Sequence, residues 1–404
     1  MKKIIVFYIL GITLFFCEIV FSQTNVSIVA DINNGFSGSG ISYITKVANN
    51  FYFSADDGVH GYELWKSDGT MTQLVSDINP GPNSSNPGYL YGSNNGKGNM
   101  VVVNGTLFFT ADDGIHGNEL WKINSLGNAV MVKDINPGEK TGLWFVPDDE
   151  YSKHINLVPI NSTNIKLFFA ADDGFGRELW VSDGTSDGTY MVKKSNQKLD
   201  AYPRVYGSQP KYLTAINNIL YFSASYDWKY GEELWKSDGT LSGTSLVKDI
   251  SEIEGYGSDP EKLINANGVL YFVANDVNRP SWSGSGKELW KHDPISNTTS
   301  IVSDINPGSS GSNPSNFEIV GTNLFFSANN GTDNELYKCS VPEGNATLVK
   351  NINQAGSSTP SYLTNFKDKL YFSADDGVKG RELWVSDGNP NGTFLINDIN
   401  LGPN

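Results

Sequence analysis

Short apolar runs alternate with polar turns along this chain, and one combination of run and turn recurs. Residues 52–70 are YFSADDGVHGYELWKSDGT, and residues 371–388 are YFSADDGVKGRELWVSDG. The runs are rich in Tyr, Phe, Val and Trp, which favour strands, and Asp-Gly between two such runs is a strong hairpin signal. No long segment has the period of an amphipathic helix. The pattern therefore predicts an all-β protein.

A search for the central triplet shows a sevenfold internal repeat. Glu-Leu-Trp, or Glu-Leu-Tyr in the sixth copy, begins at Glu63, Glu119, Glu178, Glu233, Glu288, Glu335 and Glu382, with spacings of 56, 59, 55, 55, 47 and 47 residues. Each copy follows an apolar run such as Leu370–Ala374 and precedes one such as Leu246–Ile250, and a further apolar piece such as Tyr362–Phe366 opens the unit. Each unit is therefore expected to contain four short strands.

The strands carry adjacent apolar residues, Tyr-Phe and Leu-Trp, rather than strict alternation. This favours small sheets that are covered on both faces by their neighbours. Four-stranded units of about 50 residues that stack in this way are typical of a β-propeller, and a solenoid is the alternative. We predict a seven-bladed β-propeller of four-stranded antiparallel blades spanning residues 23–404, with approximate units 36–82, 83–138, 139–198, 199–252, 253–308, 309–354 and 355–404.

The two ends of the repeat region leave the number of blades open. The segment of the LVKDIN type occurs eight times if Val26–Asn33 is counted, whereas the other three segments occur seven times. Either seven blades close with one spare strand, or the chain is truncated and the N-terminal strand completes an eight-bladed ring. We favour seven blades.

Residues 1–22 have the composition of a secretory signal peptide. Lys2 and Lys3 precede an apolar region, and small residues stand near the expected cleavage site before Gln23. A lipoprotein anchored at Cys17 is the alternative, disfavoured by the bulky Phe15 and Phe16 that precede it. We expect a secreted or cell-surface protein without a membrane span.

The net charge and the cysteine content exclude one class of partner and one kind of cross-link. The formal charge is −15, and it becomes −16 when the signal peptide, with its two Lys and one Glu, is removed. An acidic chain repels phosphate backbones, so we expect no nucleic-acid partner. Cleavage leaves Cys339 alone, so no intramolecular disulfide is expected.

The repeated motif resembles that of the ELWxxDGT repeat proteins. The form ELWxSDG stands at Glu63–Gly69, Glu178–Gly184, Glu233–Gly239 and Glu382–Gly388, and it is degraded after Glu119, Glu288 and Glu335. The resemblance covers the mature chain. It implies a propeller-like protein exported by bacteria, often Bacteroidota, and often with a C-terminal sorting domain. It implies no activity.

The acids around each hairpin have two interpretations. In the first, one Asp accepts backbone N–H groups of the turn while the Glu pairs with Lys or Arg, such as Arg177 or Arg381. In the second, the acids bind calcium, which prefers six to eight oxygen ligands. The candidate calcium ligands are Asp56, Asp57, Glu63, Asp112, Asp113, Glu119, Asp172, Asp173, Glu178, Asp375, Asp376 and Glu382. We favour turn chemistry. His60 and His116 occupy equivalent repeat positions and are expected to be turn residues.

The repeated Trp is expected to be a packing residue, whereas three other Trp residues lie where the repeat is interrupted. In an antiparallel four-stranded blade, the loop between strands two and three and the link to the next blade emerge on the same side. Loops on one side of a propeller are common binding sites. The candidate ligand-binding residues there are Trp144, Tyr151, Trp228, Tyr230, Arg279 and Trp282. For each of these aromatic residues there is a structural alternative, in which the side chain packs its own loop onto the blade.

No nucleophile, metal-binding or phosphate-binding motif is present in the sequence. We therefore expect a monomeric, non-enzymatic binding or adhesion module for a glycan or a cell-surface protein. The alternatives are a carbohydrate-active hydrolase or lyase on the same scaffold and a structural surface protein held together by calcium.

Overall fold

Seven antiparallel sheets of four strands each account for the regular structure. The computed structural model describes residues 27–89, 99–137, 157–160, 166–195, 207–276 and 284–399. Within these ranges there are 28 strands and no helix, so none of the described residues forms a helix that could cross a bilayer. Each sheet consists of four strands in chain order. The predictions of an all-β protein and of four strands per unit are confirmed.

Sheets 1 to 4 are formed by β1 (Ser42–Val47), β2 (Asn50–Asp56), β3 (Tyr62–Ser67) and β4 (Thr72–Ser76); β5 (Met100–Val103), β6 (Thr106–Asp112), β7 (Asn118–Ile123) and β8 (Ala129–Lys133); β9 (Val158–Ile160), β10 (Lys166–Asp172), β11 (Arg177–Ser182) and β12 (Tyr190–Lys193); and β13 (Lys211–Ile216), β14 (Ile219–Ala224), β15 (Glu233–Ser237) and β16 (Ser245–Lys248). Sheets 5 to 7 are formed by β17 (Glu261–Ala266), β18 (Val269–Asn275), β19 (Lys287–Asp293) and β20 (Thr298–Ser303); β21 (Ser315–Val320), β22 (Asn323–Asn329), β23 (Asn334–Ser340) and β24 (Thr347–Lys350); and β25 (Ser361–Phe366), β26 (Lys369–Asp375), β27 (Arg381–Ser386) and β28 (Phe394–Asn397).

The register of the central hairpin determines which residues share a face. In sheet 1, Phe53 pairs with Trp65 on one face, and Ser54 pairs with Leu64 on the other. We call the face of Phe53 and Trp65, and its equivalents, the leading face, and the opposite one the trailing face. The pairing of Phe53 with Trp65 recurs in every sheet, as Phe109–Trp121, Phe169–Trp180, Phe222–Trp235, Phe272–Trp290, Phe326–Tyr337 and Phe372–Trp384.

The trailing face of each sheet packs on the leading face of the next. Tyr52 and Leu64 of sheet 1 join Leu107, Phe109 and Trp121 of sheet 2 in one apolar cluster. Equivalent clusters connect all consecutive sheets up to sheet 7. The first strands of neighbouring sheets also contact one another. The sheets are therefore stacked face to face in a propeller-like arrangement, as the adjacent apolar residues predicted.

The two terminal faces differ from all internal ones. On the leading face of sheet 1, Phe51 is 43% exposed, whereas its six equivalents, Leu107, Leu167, Leu220, Leu270, Leu324 and Leu370, are at most 1% exposed. On the trailing face of sheet 7, Leu383 is 41% exposed, whereas its six equivalents are fully buried. In the described residues, these two faces are therefore not packed as the internal faces are.

The sequence predicts a strand over Val26–Asn33. Val26 lies outside the described residues, and Ser27–Asn33 do not form a strand in the structure. Ile28, Val29 and Ile32 instead border an apolar depression together with Ile44 and Phe51 of sheet 1. In the other units, this type of segment pairs with the strand of the repeated Trp, as β4 does with β3.

Candidate functional site

The acidic hairpins are built by hydrogen bonds within each turn. In sheet 1, Gly58 N donates to Asp56 Oδ1 at 2.7 Å, and the backbone N–H groups of Val59 and His60 donate to Asp57 Oδ1 at 2.9 and 2.8 Å. His60 Nδ1 lies 2.7 Å from Asp57 Oδ2. The hairpin of Asp112, Asp113 and His116 has the same contacts. The turns of Asp172, Asp173, Asp375 and Asp376 also use these acids as acceptors for backbone N–H groups.

These contacts shift the ionisation of both partners. Burial would raise the pKa of Asp57, but the hydrogen bonds from His60 and Val59 outweigh it and hold that pKa below its usual value. The bond to Asp57 in turn raises the pKa of His60. The same directions hold for Asp113 and His116. The expectation that both His residues are turn residues agrees with these contacts.

The repeated Glu has a different role from the hairpin Asp residues. Glu63 is fully buried. Its carboxylate accepts the N–H groups of Ile78, Asn79 and Ser85 at 3.0, 3.3 and 2.9 Å, and the hydroxyl of Ser85 at 2.5 Å. The carbonyl of Ser85 accepts Asp112 N of sheet 2 at 3.0 Å. We call the hydrogen bonds from the link to the buried Glu carboxylate the Glu latch, because they tie one sheet to the link that begins the next.

The Glu latch recurs along the chain. In four further units, a Ser of the following link donates both its hydroxyl and its backbone N–H to the Glu carboxylate. The pairs are Ser208 with Glu178, Ser258 with Glu233, Ser312 with Glu288 and Ser358 with Glu335. Glu119 and Glu382 accept N–H groups of Ile135 and Ile399. Burial raises the pKa of Glu63, Glu288 and Glu335, and that of Glu233 to about 7. These neutral donors take the place of the Lys or Arg partner that we expected from the sequence.

The candidate calcium ligands thus have separate protein partners. In sheet 1, Asp57 is engaged by the turn and Glu63 by the link, and the other acidic hairpins follow this division. Among the described residues, no three His, Cys, Asp or Glu side chains are grouped so that they could hold a metal ion. Calcium binding stays a prediction, and the hydrogen bonds support turn chemistry for the Asp residues.

The loop between the second and third strands lies against the link to the next sheet. In sheet 4, Gly255 N of the link donates to Lys229 O of the loop at 2.7 Å, and Asp259 N donates to Glu232 O at 3.1 Å. In sheet 1, Tyr62 N donates to Ser84 Oγ of its link at 2.9 Å. The side of the molecule formed by these loops and links is called the loop face below.

Sheet 4 presents an aromatic cluster on the loop face. Trp228 is 45% exposed, and Tyr256 of the adjoining link is 50% exposed. Lys229 Nζ lies 5.4 Å from the centre of the Tyr230 ring. Asp227 fixes the loop by accepting Lys229 N at 3.0 Å. The structure therefore places the loop that carries the predicted residues Trp228 and Tyr230 against the link that carries Tyr256, which sequence reasoning missed. We call these three residues the aromatic cluster.

A buried aromatic residue anchors this loop. Tyr226 is 2% exposed and packs edge-on against Trp235, with ring centres 4.8 Å apart. Lys193 of sheet 3 lies over both rings. Burial raises the pKa of Tyr226 well above its usual value. One aromatic residue of the loop thus serves as the structural anchor, while Trp228 is left at the surface.

The other candidate ligand-binding residues, Trp144, Tyr151, Arg279 and Trp282, lie outside the described residues, as does the predicted signal peptide. The packing role of the repeated Trp is clear. Five of the six are at most 9% exposed, and Trp65 on the terminal face of sheet 1 is half-buried.

Two buried titratable groups are part of the sheets. His292 occupies the position of the Ser in ELWxS, and its Nδ1 lies 2.9 Å from Thr299 Oγ1, as Ser237 Oγ lies 2.8 Å from Thr244 Oγ1. Burial lowers the pKa of His292 to about 4. Burial also raises the pKa of Cys339 to about 12, so its thiol is poorly nucleophilic.

No protein-family model matches the chain, and no curated protein matches it. Solved structures are similar at low identity. They include a structure from a study of two prolyl endopeptidases (12% identity, TM-score 0.44, 88% of this chain and 49% of that one) and a puromycin-hydrolysing peptidase of Mycobacterium tuberculosis (10%, 0.42, 90% and 53%). A GH74 enzyme of Niastella koreensis is also similar (13%, 0.40, 88% and 53%). The chain spans about half the length of each of these proteins.

Proposed function

We propose that the protein is an exported, non-enzymatic β-propeller, with its seven sheets as blades, that binds glycans through its loop face. The observation that carries this proposal is the cluster of Trp228, Tyr230 and Tyr256, in which two rings are about half exposed. Aromatic rings of this kind offer an apolar face to the C–H groups of a sugar and a polar edge to its hydroxyls. Asp227 and Lys229 flank the rings and supply hydrogen-bonding groups.

The repeated polar residues have structural roles, which leaves ligand recognition to the segments that depart from the repeat. The Asp residues hold hairpin turns, and the buried Glu residues hold the links. These side chains are used in the architecture. The loop of sheet 4 departs from the repeat and places aromatic residues where the loops of sheets 1, 2, 3 and 7 have an acidic Asp-Asp-Gly turn, so ligand recognition is expected there.

A glycan array followed by calorimetry on the best polysaccharide tests the proposal. Replacing both Trp228 and Tyr256 by Ala should weaken binding about tenfold or more, because central aromatic contacts dominate such interfaces. The thermal midpoint should stay unchanged. Tyr362→Ala, at a side chain that is 82% exposed on sheet 7, is the matched control and should bind as the parent does.

Three outcomes would contradict parts of this proposal. Undiminished binding by the double variant would exclude this cluster, and a parent chain that binds no glycan on the array would exclude the ligand class. Release of new reducing ends from the bound polysaccharide would show catalysis. Variants of Trp282, in the loop of the fifth unit that corresponds to the Trp228 loop, and of Trp144, in the link after the second unit, then extend the test.

A further inference from the structure

The segment that precedes sheet 1 has the geometry of a link between two sheets. In five other units, the carbonyl of a link Ser accepts an N–H group at the end of the next sheet's second strand, at 2.8 to 3.0 Å. Ser39 O accepts Asp56 N in the same way, at 2.9 Å. The residue after each of these Ser residues has a positive φ, and Gly40 has a φ of 57°. Ser39 therefore occupies the position of the link Ser residues Ser85, Ser208, Ser258, Ser312 and Ser358.

Asn33 also occupies a link position. Asn79 of the first link lies beside Gly114 of the next hairpin, so that a Cβ on Gly114 would be 2.7 Å from Asn79 Oδ1. Asn33 lies beside Gly58, whose Cβ would be 3.1 Å from Asn33 Oδ1. Ile32 and Asn33 thus correspond to Ile78 and Asn79, the residues whose N–H groups donate to Glu63.

This link differs from the others in what it binds. Each of the seven repeated Glu carboxylates already accepts an N–H group of its own link. Ser39 is half-buried, whereas its five equivalents are at most 1% exposed. The leading face beside it exposes Ile44 and Phe51, at 64% and 43%.

We propose that this end of the molecule is an interaction surface for one further three-stranded unit of the same repeat type, carrying its own Glu-Leu-Trp strand. The Glu of that unit accepts the N–H groups of Ile32, Asn33 and Ser39 and the Ser39 hydroxyl. Its trailing face covers Ile44 and Phe51, and Ser27–Asn33 becomes its fourth strand.

The chain's own last sheet and a second copy fit this surface less well, for one reason. Glu382 of sheet 7 already accepts Ile399 N at 3.2 Å, the contact that corresponds to Ile78 N with Glu63. Sheet 7 also has its own fourth strand, β28. Docking of sheet 7 onto Ile32 and Asn33 would bring further link donors to a carboxylate that already accepts Ile399 N, whereas the Glu of a three-stranded unit has no link of its own.

An extended chain provides the test. A second copy of residues 357–386, which contains strands β25 to β27, is joined directly after Asn404. Asn404 corresponds to Asn83 in the repeat and Ser357 to Ser84, so the natural register is kept. The extended chain should be monomeric, melt at a higher temperature than the parent, and bind less of a dye that reports exposed apolar surface.

Substitution of Ser39 then measures how much the Glu latch contributes to the stability of the extended chain. Ser39→Ala should lower the melting temperature of the extended chain by a few degrees and leave that of the parent chain unchanged. Glu382→Ala in the appended copy alone should remove this difference. Ser37→Ala, at an exposed position in the same segment, is the matched control and should be silent in both chains.

Each alternative occupant gives its own signature. If Ser39→Ala destabilises a monomeric parent chain, the chain's own last sheet covers the surface; if the effect grows with concentration alongside dimer formation, a second copy does. Either result overturns the proposal, as does an appended copy that stays accessible to protease with no gain in melting temperature. Should the extended chain not fold, hydrogen exchange on the parent decides, since Ile32, Asn33 and Ser39 amides must exchange faster than those of Ile78, Asn79 and Ser85.

Discussion

Gly231 shows how a single residue permits the contact between hairpin and link. Its φ is 65°, and a Cβ at this position would lie 2.3 Å from Gly257 N and 2.7 Å from the carbonyl carbon of Tyr256. Gly69 has a φ of 91° but no atom within 4 Å of the corresponding Cβ position. A substitution at Gly69 therefore tests only the cost of the backbone conformation, whereas one at Gly231 adds a collision with the backbone of the link.

Gly69→Ala should reduce the free energy of unfolding by about 1–2 kcal/mol, the cost of a left-handed conformation for a residue with a Cβ. Gly231→Ala should cost clearly more, because the link carrying Tyr256 must also move. Urea denaturation of both variants measures the difference. Equal losses would show that the link yields without cost, and weaker glycan binding by Gly231→Ala alone would connect this residue to the loop face.

At the level of strands and hairpins, much of the structure could be predicted from the sequence. The Asp-Gly turns and the triplet Glu-Leu-Trp identify the central hairpin of each sheet, and adjacent apolar residues such as Tyr52 and Phe53 indicate two covered faces. Trp228 and Tyr230 are candidate ligand-binding residues because their loop interrupts the repeat. Tyr256 was missed because its link resembles an ordinary polar connection.

The Glu latch could not be predicted because its partners lie 15 to 30 residues after the Glu and meet it only when two sheets stack. One signal was present. The latch Ser is followed by any residue and then Pro in five links, at Ser85, Ser208, Ser258, Ser312 and Ser358. A recurring Ser-Xaa-Pro beside a recurring acid indicates that the two residues interact.

The contacts of the hairpins predict how the protein responds to calcium. Because the Asp oxygens accept turn N–H groups and the Glu oxygens accept link donors, a calcium site built from both would have to break these bonds. Thermal melts in EDTA and in millimolar calcium should therefore superimpose, with magnesium as the control for ionic strength. A ligand that binds only the folded state raises the melting temperature, so a calcium-specific rise of many degrees would make the hairpins metal sites.

For the molecule as a whole, stability depends on repeating one junction. Each internal junction buries the leucine of the Glu-Leu-Trp strand completely, as at Leu64 and Leu336, and adds a latch between sheet and link. In repeat architectures, stability is close to a sum of such unit and junction contributions. A property shared by all the latches should therefore appear as a property of the whole protein.

The pH dependence of stability is such a property. Burial raises the pKa of Glu233 to about 7 in the folded protein, and it also raises those of Glu63, Glu288 and Glu335. The folded state therefore binds more protons than the unfolded state between about pH 4.5 and 7, so the free energy of unfolding falls as the pH rises through this window. Hydrogen bonding to Asp57 and Asp113 raises the pKa of His60 and His116, which acts in the same direction. His292, whose pKa burial lowers to about 4, acts in the opposite direction, but it is one group against these four Glu and two His residues. Melting temperatures should be higher at pH 5 than at pH 7.5.

Glu233→Gln, which retains a hydrogen-bonding side chain of the same shape, should reduce this difference, whereas Glu254→Gln, in an exposed part of the link, should not. A parent protein that becomes more stable from pH 5 to 7.5 would show that the donors of the latch favour the ionised Glu more strongly than burial opposes it.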